Sequence, residues 1–316
     1  MFDHSPGRTD TWDGYTYGYS DLGPFGGDAM YSLFSGKFSS ANGIVNGSPV
    51  CAEATNTGNF YASNPTYVCN PKLDTLLNAQ NQASTLDGYN AATFAAFNYY
   101  GRIAGDIPTY SPGMRTAALT AAADVVQASV GGYNNPWTLL NAHQSGRIGG
   151  NTLYAFGGGD PTTLRYGQAS ETTSLNPFTA STPWEFQLIS EVYDTLLAGN
   201  PVNPTQIFCW MCNTFTTSVD NSGNEHFRIE MRQDLRWHDG AILDARDVAF
   251  SLLALRDVSA VGLGGGIVPS ILLTVNVLSN TTVDIVFRGQ SVTNPVFLES
   301  MILPRHLWQC DLVQEN

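Results

Sequence analysis

The chain is short of positive charge. Of its 316 residues only 14 are Lys or Arg, against 27 Asp or Glu, so its formal net charge is −13. Twelve of the basic residues are Arg, and the two lysines are Lys37 and Lys72. The chain therefore lacks the basic patch that neutralises a phosphate backbone, which argues against a nucleic-acid partner. An anionic membrane surface would repel it as well.

Long apolar runs and a secretory leader are also missing. The longest uncharged stretch, residues 258–283, contains a Gly-Gly-Gly run and Pro269, and it predicts a loop and a hairpin rather than a membrane span. The first residues, MFDHSPG, lack the basic start and apolar core of a signal peptide. Yet 43% of residues are hydrophobic, enough for a sizeable core.

Cysteines are few but suggestively spaced. Cys51 and Cys69 flank a loop rich in Gly, Asn and Ser, and a disulfide between them would contribute roughly 3 kcal/mol in the chain-entropy model. Cys209 and Cys212 form a CxxC, for which we favour a disulfide or buried thiols over a metal or redox site. Cys310, the fifth cysteine, belongs to neither of these two pairs.

Signatures of catalysis are absent. The sequence contains no GxSxG, HExxH, Walker loop or GxGxxG. His238 and Asp239 could form an acid–base or metal pair, but the following Gly240 favours an Asp-Gly turn between a strand and a helix. We therefore expect no enzyme and no cofactor.

Hydrophobic periodicity predicts a mixture of helices and strands. Asp244 is a good N-cap, with Asp247 as its capping-box partner. The predicted helices span residues 71–83, 87–104, 116–130, 184–197, 245–255 and 294–301. The predicted strands span residues 15–19, 163–167, 227–232, 272–278 and 283–287, the last two as a hairpin.

Residues 227–253 carry a family resemblance. They read FRIEMRQDLRWHDGAILDARDVAFSLL. This stretch closely resembles the signature of the extracellular solute-binding proteins of family 5, the peptide- and nickel-binding group that serves ABC importers. The matching residues are Arg232, Trp237, His238, Asp239, Gly240, Ala245, Asp247, Val248, Phe250 and Ser251. Residues 164–167, 174–178 (SLNPF), 191–197 (EVYDTLL), 282–287 and 302–308 (ILPRHLW) also resemble the first part of such a protein, and the family has a helix at the EVYDTLL position.

The order of the resembling segments is unusual. Residues 64–77, 107–108 and 17–25 resemble the end of a family 5 protein, yet they come first. We expect a C-terminal-half-like segment (1–130), a Gly/Asn-rich linker (131–159) and an N-terminal-half-like segment (160–316). The chain could be a fragment of a tandem protein, a gene fragment that starts at an internal Met, or a shortened, permuted variant. The missing leader and the odd Cys310 favour a fragment.

The resemblance implies an α/β, two-lobed fold of the periplasmic-binding-protein type (class II, family 5), here incomplete. It implies an extracytoplasmic protein that binds peptides or similar small solutes between its lobes and delivers them to the membrane permease of an ABC importer. The anchor and signal peptide would lie outside this chain. The expected ligand contacts are Tyr17, Tyr19, Asp21, Asn176 and Trp184.

Two other functions compete with this one. The Asn/Thr-rich, Lys-poor composition and the sequon Asn280-Thr281-Thr282 suit a structural or adhesive cell-surface protein built on the same scaffold. A disulfide or metal enzyme centred on Cys209 and Cys212 is the third hypothesis.

Overall fold

The computed structural model describes only part of the chain. The described residues are 30, 31, 34, 35, 44–45, 48–49, 70–103, 122–123, 137–138, 143–144, 171–180, 182–203, 205–257 and 271–314. The expected strands at 15–19 and 163–167 lie outside them. Within them, helices and strands are mixed, which confirms the α/β class.

The first long described segment, residues 70–103, contains a pair of helices, α1 (Pro71–Asn81) and α2 (Leu86–Ile103). Asn70 caps α1, because its Oδ1 accepts from the backbone N–H groups of Lys72 and Leu73. The apolar faces enclose a small core, the α1–α2 cluster: Met30, Phe34, Leu73, Leu77, Ala96 and Tyr100. Both helices are confirmed where the periodicity predicted them.

Six short strands among the described residues pair in three antiparallel ribbons. β1 (Ile44–Val45) and β2 (Ser48–Pro49) form the first, which precedes α1 in the chain. The other two ribbons follow α2: β3 (Ala122–Ala123) pairs with β4 (His143–Gln144), and β5 (Leu197–Gly199) pairs with β6 (Ile207–Cys209). Between β4 and β5 lies the helix α3 (Pro183–Ile189). These short ribbons precede the main sheet.

The main sheet has four antiparallel strands in the order β7-β8-β10-β9. They are β7 (Cys212–Val219), β8 (Glu225–Met231), β9 (Leu272–Ser279) and β10 (Thr282–Phe287). In β8 the residues Phe227, Ile229 and Met231 are buried and the residues between them are more exposed. This alternation is the period of a half-buried strand, as predicted.

Helix α4 (Ala245–Asp257) packs on the buried face of this sheet. A 3₁₀ helix (Asn294–Glu299) and helix α5 (Arg305–Gln314) end the described chain. The sheet cluster, which includes Phe227, Ile229, Leu252, Val283, Ile285 and Phe287, is separate from the α1–α2 cluster. The two parts touch where Val292 N donates to Ala83 O at 3.0 Å.

Two predicted helices are wrong. The helix expected over 184–197 ends at Ile189, because the backbone beyond it joins other chain segments. Ile302 N donates to Asp194 O at 2.9 Å, and Leu197 belongs to β5, not to the expected family helix. In the helix expected over 116–130, Ala122–Ala123 instead pairs as β3 with β4. The predicted 294–301 helix is a 3₁₀ helix that ends at Glu299.

No helix among the described residues is long and apolar enough to cross a membrane.

Candidate ligand-binding site

Asn176 lies in the turn of the SLNPF segment. It is exposed, its Oδ1 accepts from Phe178 N at 2.8 Å, and its carbonyl accepts from Ala180 N at 2.9 Å. The side chain thus shapes the turn through its oxygen. Its amide nitrogen makes no hydrogen bond within the part of the chain that the structure describes, so it is available to a ligand.

Glu185 ties this turn to the start of α3. Its buried carboxylate accepts from Thr173 N at 3.0 Å, from Ser174 N at 2.9 Å and from Thr182 N at 3.0 Å. With Glu185 N donating to Thr182 Oγ1, this is a capping box. The half-buried Trp184 is the neighbouring residue on α3, so the segment leading to Asn176 and the helix carrying Trp184 share one rigid support.

The remaining expected site residues divide in two. Tyr17, Tyr19, Asp21, Cys51 and Cys69 lie outside the described residues, and their roles stay predictions. Cys209 and Cys212 form a disulfide that joins the end of β6 to the start of β7, so the disulfide interpretation of the CxxC is confirmed.

The signature segment 227–253 interlocks with the ILPRHLW segment. The buried Asp247 accepts from Arg305 N and from Asp244 N, each at 2.9 Å. The buried Ser251 accepts from Leu303 N at 2.7 Å. His306 Nε2 lies 2.7 Å from Asp239 Oδ2. Side chains of the signature thus hold the backbone of the second segment in place.

The WHDG segment (237–240) forms a turn, which is the interpretation that the sequence favoured over an acid–base pair of His238 and Asp239. Asp239 Oδ1 accepts from Ala241 N at 2.9 Å, and Gly240 has φ of 89°. His238 is exposed and makes no hydrogen bond in the described part of the chain. The hydrogen bond from His306 holds the pKa of Asp239 below its ordinary value.

A cavity of about 330 Å³ opens beside this junction. It is lined from four places: the residues after β8, the segment leading into α4, the β9–β10 turn and the first residues of α5. Its charged or titratable lining consists of Arg232, Asp244, Arg246, Asp247, Arg305 and His306. The cavity has cations on several sides, although the chain as a whole is acidic.

Two of these arginines are already paired. Arg232 makes a two-point contact with Asp234, at 3.1 and 2.9 Å. Arg246 makes a two-point contact with Asp244, whose pKa its hydrogen bonds lower. Sequence reasoning gave no role to Arg305 and His306. The only signal was their place in the resembling ILPRHLW segment, because their neighbours in the cavity come from distant parts of the chain.

No family model matches the chain, and no curated protein matches it.

Several solved structures resemble part of the chain. NikZ from Campylobacter jejuni in complex with Ni(L-His) is 20% identical over 44% of this chain and 27% of its own, with a TM-score of 0.34. The oligopeptide-binding protein AppA from Bacillus subtilis, in complex with a nonapeptide, is 18% identical over 47% and 29%, with a TM-score of 0.38. The periplasmic binding protein DppA from Helicobacter pylori, in complex with peptide STSA, is 16% identical over 45% and 31%, with a TM-score of 0.36. The chain thus spans less than a third of each of these proteins.

Proposed function

We propose that this chain is part of the substrate-binding component of an ABC importer, which binds peptides or similar small solutes outside the membrane. The observation that carries the proposal is the interlock of the two most specific resembling segments. Asp247 and Ser251 of the signature hold Arg305 and Leu303 of the second segment through hydrogen bonds. Two stretches that resemble one family by sequence therefore also form one local structure. Within it, Asp247 and Ser251, which match the family signature, accept hydrogen bonds from the backbone of the second stretch.

The proposal includes the order of the segments. Residues 1–130 would correspond to the end of such a receptor, 160–316 to its beginning, and 131–159 to the join. Contacts between these parts support one joint lobe over two independent copies. Val292 N donates to Ala83 O, which links residues 160–316 directly to residues 1–130. Trp137, in the join, has its ring 5.2 Å from that of Trp210 and 5.7 Å from that of Phe208, so the join packs on residues 160–316.

The ligand contacts proposed are Tyr17, Tyr19, Asp21, Asn176 and Trp184. Of these five residues, Asn176 and Trp184 lie within the described part of the chain, and their surroundings support the proposal. An exposed amide next to a turn can bond a peptide backbone, and the indole supplies apolar contact area. No catalytic step belongs to this function, since a receptor only binds and releases its solute.

Binding of mixed peptide pools to the full 316-residue chain tests the proposal. We expect peptides to change the tryptophan fluorescence and to raise the melting temperature, because a ligand bound only by the folded state stabilises that state. Histidine-chelated nickel serves as a second ligand pool. If neither pool changes fluorescence or melting temperature, the proposal is wrong.

A matched pair of variants then tests the site. Asn176→Ser retains a side-chain oxygen for the turn but removes the amide donor, and it should weaken peptide binding about tenfold. Asn213→Ser changes an exposed residue of β7 and should leave the affinity unchanged. Equal affinity in both variants would remove Asn176 from the proposed site.

A further inference from the structure

Helix α2 carries apolar side chains on both of its faces. On the inner face Tyr89, Ala96 and Tyr100 are buried. On the opposite face Phe94 is 72% exposed and Phe97 is 43% exposed. A surface helix ordinarily presents charged and polar residues to water, and a helix that is apolar on both faces is normally covered on both. The outer face of α2 therefore has the composition of a contact surface.

The exposed residues of this outer face form one stripe along the helix. Ala91 and Asn90 precede Phe94 by three and four residues, and Phe97 and Asn98 follow it by three and four. All five are exposed, and this spacing places them on the same side of an α-helix. Residues 88–101 contain no Asp, Glu, Lys or Arg, so the stripe is uncharged along its length.

Two opposite charges flank the stripe. Asp87 lies in the first turn of α2 and Arg102 in the last turn, and both are exposed. They stand seven residues before and eight residues after Phe94, so they are nearly symmetric about it and about 22 Å apart along the helix axis. Neither forms an ion pair within the part of the chain that the structure describes.

A second copy of the chain supplies the complement of this face. In an antiparallel pair of α2 helices with its two-fold axis at Phe94, each Asp87 comes beside the Arg102 of the other copy. The two Phe94 rings then meet at the axis, as a self-complementary two-fold interface requires. A parallel pair would instead bring Asp87 beside Asp87 and Arg102 beside Arg102, which like-charge repulsion disfavours.

The local charge balance also permits two copies to associate here. The chain as a whole has a net charge of −13, so two copies repel each other in general. Residues 70–103 contain two basic residues, Lys72 and Arg102, and two acidic residues, Asp74 and Asp87, and their net charge is zero. Two copies can therefore approach through this segment without an excess of like charge.

We propose that the outer face of α2 is a homodimerisation surface. Two copies pack their α2 helices antiparallel through Phe94 and Phe97, and Asp87 pairs with Arg102 at both ends. One helix pair covers less area than the roughly 1,200–2,000 Å² of a typical stable interface, so the dimer is weak and depends on concentration. The surface includes none of the expected ligand contacts, so this proposal and the proposed function can fail independently.

Sedimentation velocity of the full 316-residue chain, from low micromolar to submillimolar concentration, tests the proposal. We expect the sedimentation coefficient to rise from that of a monomer to a plateau at that of a dimer. Phe94→Asn should weaken the dimer at least about tenfold. Val202→Asn is the matched control, because Val202 is 73% exposed and lies outside α2, and it should dimerise as the wild type does.

Three outcomes of this measurement overturn the proposal. The first is a monomer at every concentration, as expected if another part of the chain or a different protein covers the face. The second is a mass that keeps growing beyond the dimer, because a two-fold interface is closed. The third is equal weakening by Phe94→Asn and Val202→Asn, which would mean non-specific association of exposed apolar side chains.

A charge-reversal cycle tests the antiparallel register. Asp87→Arg should weaken the dimer about tenfold, because an arginine then faces Arg102 of the other copy, and Arg102→Asp should do the same. The chain with both substitutions should regain the wild-type affinity to within about threefold, since the opposite charges face each other again. The melting temperature of each variant verifies that it is folded. A double variant that dimerises as weakly as the single variants overturns the proposed pairing.

Discussion

At the scale of single residues, Asp247 does more than cap a helix. It sits in the first turn of α4 and is buried, and its two oxygens accept from two backbone N–H groups that lie 61 residues apart in the chain, Asp244 N and Arg305 N. One carboxylate thus satisfies the starts of both α4 and α5. Its negative charge also suits both helix N-termini.

Asp247→Asn should therefore lower the free energy of unfolding by about 1–3 kcal/mol, because an amide retains only one acceptor oxygen and leaves one partly buried N–H unpaired. Asp257→Asn is the matched control. Asp257 is largely exposed and pairs with Arg256. Asp257→Asn should therefore lower the free energy of unfolding by less than about 1 kcal/mol. Urea unfolding of both variants measures the difference, and equal midpoints would show that the double contact contributes nothing.

His226 is a second residue with a defined electrostatic role. Its Nδ1 lies 3.1 Å from both oxygens of Asp284, and its Nε2 lies 3.5 Å from Asp220. Partial burial disfavours the charged ring, but the hydrogen bonds and charges of the two aspartates outweigh it and raise the pKa of His226. The pKa of Asp220 falls to about 2, chiefly through hydrogen bonds from Asn224.

A raised histidine pKa stabilises the protonated folded state. The contribution is fully present below the unfolded pKa of about 6.5 and is lost as the pH rises through the higher folded value. The melting temperature of His226→Gln should therefore lie furthest below that of the wild type at pH 5.5, and the gap should narrow by pH 8.5. His238→Gln, at an exposed site, should show no such trend. A gap that widens with pH would contradict this assignment.

At the scale of elements, the strand–turn–helix of the signature depends on Gly240. This glycine ends the WHDG turn with φ of 89°, in the left-handed region where a Cβ is unfavourable. Gly101 lies inside α2 with open space around it and no positive φ. The two glycines therefore make a matched pair with opposite expectations.

Gly240→Ala should destabilise the protein by about 1–2 kcal/mol, because it forces a side chain into the left-handed conformation. Gly101→Ala should stabilise it by about 0.5–1 kcal/mol, because alanine is the better helix former. Thermal unfolding followed by circular dichroism measures both. If both substitutions shift the melting temperature in the same direction, the backbone argument is wrong.

At the scale of the whole molecule, the described residues form two hydrophobic clusters. The α1–α2 cluster contains Leu77 and the sheet cluster contains Ile229, each fully buried. The backbone hydrogen bond from Val292 to Ala83 joins the two parts. Parts with separate cores and a small join can open independently.

Leu77→Ala and Ile229→Ala should each lower the free energy of unfolding by about 2–5 kcal/mol, the usual loss when a buried core side chain is truncated. Hydrogen exchange should then rise mainly in α1 and α2 for Leu77→Ala, and mainly in β8 and β10 for Ile229→Ala. Each variant serves as the control for the other, because the two should raise hydrogen exchange in different parts of the chain. A uniform rise across both parts in either variant would mean that the chain unfolds as one cooperative unit.

Local signals in the sequence determined the elements whose hydrogen bonds are local. Asn70 and Asp244 mark helix starts, and alternation marks β8 and the β9–β10 hairpin, because caps, turns and neighbouring strands need only nearby residues. The sequence also pointed to the Cys209–Cys212 disulfide. Tertiary structure decided the rest. The helix expected over 184–197 stops at Ile189 because Asp194 and Leu197 bond to distant backbone, and such competition is invisible in a local pattern. The cavity that Arg305 and His306 help to line exists only because four distant segments meet.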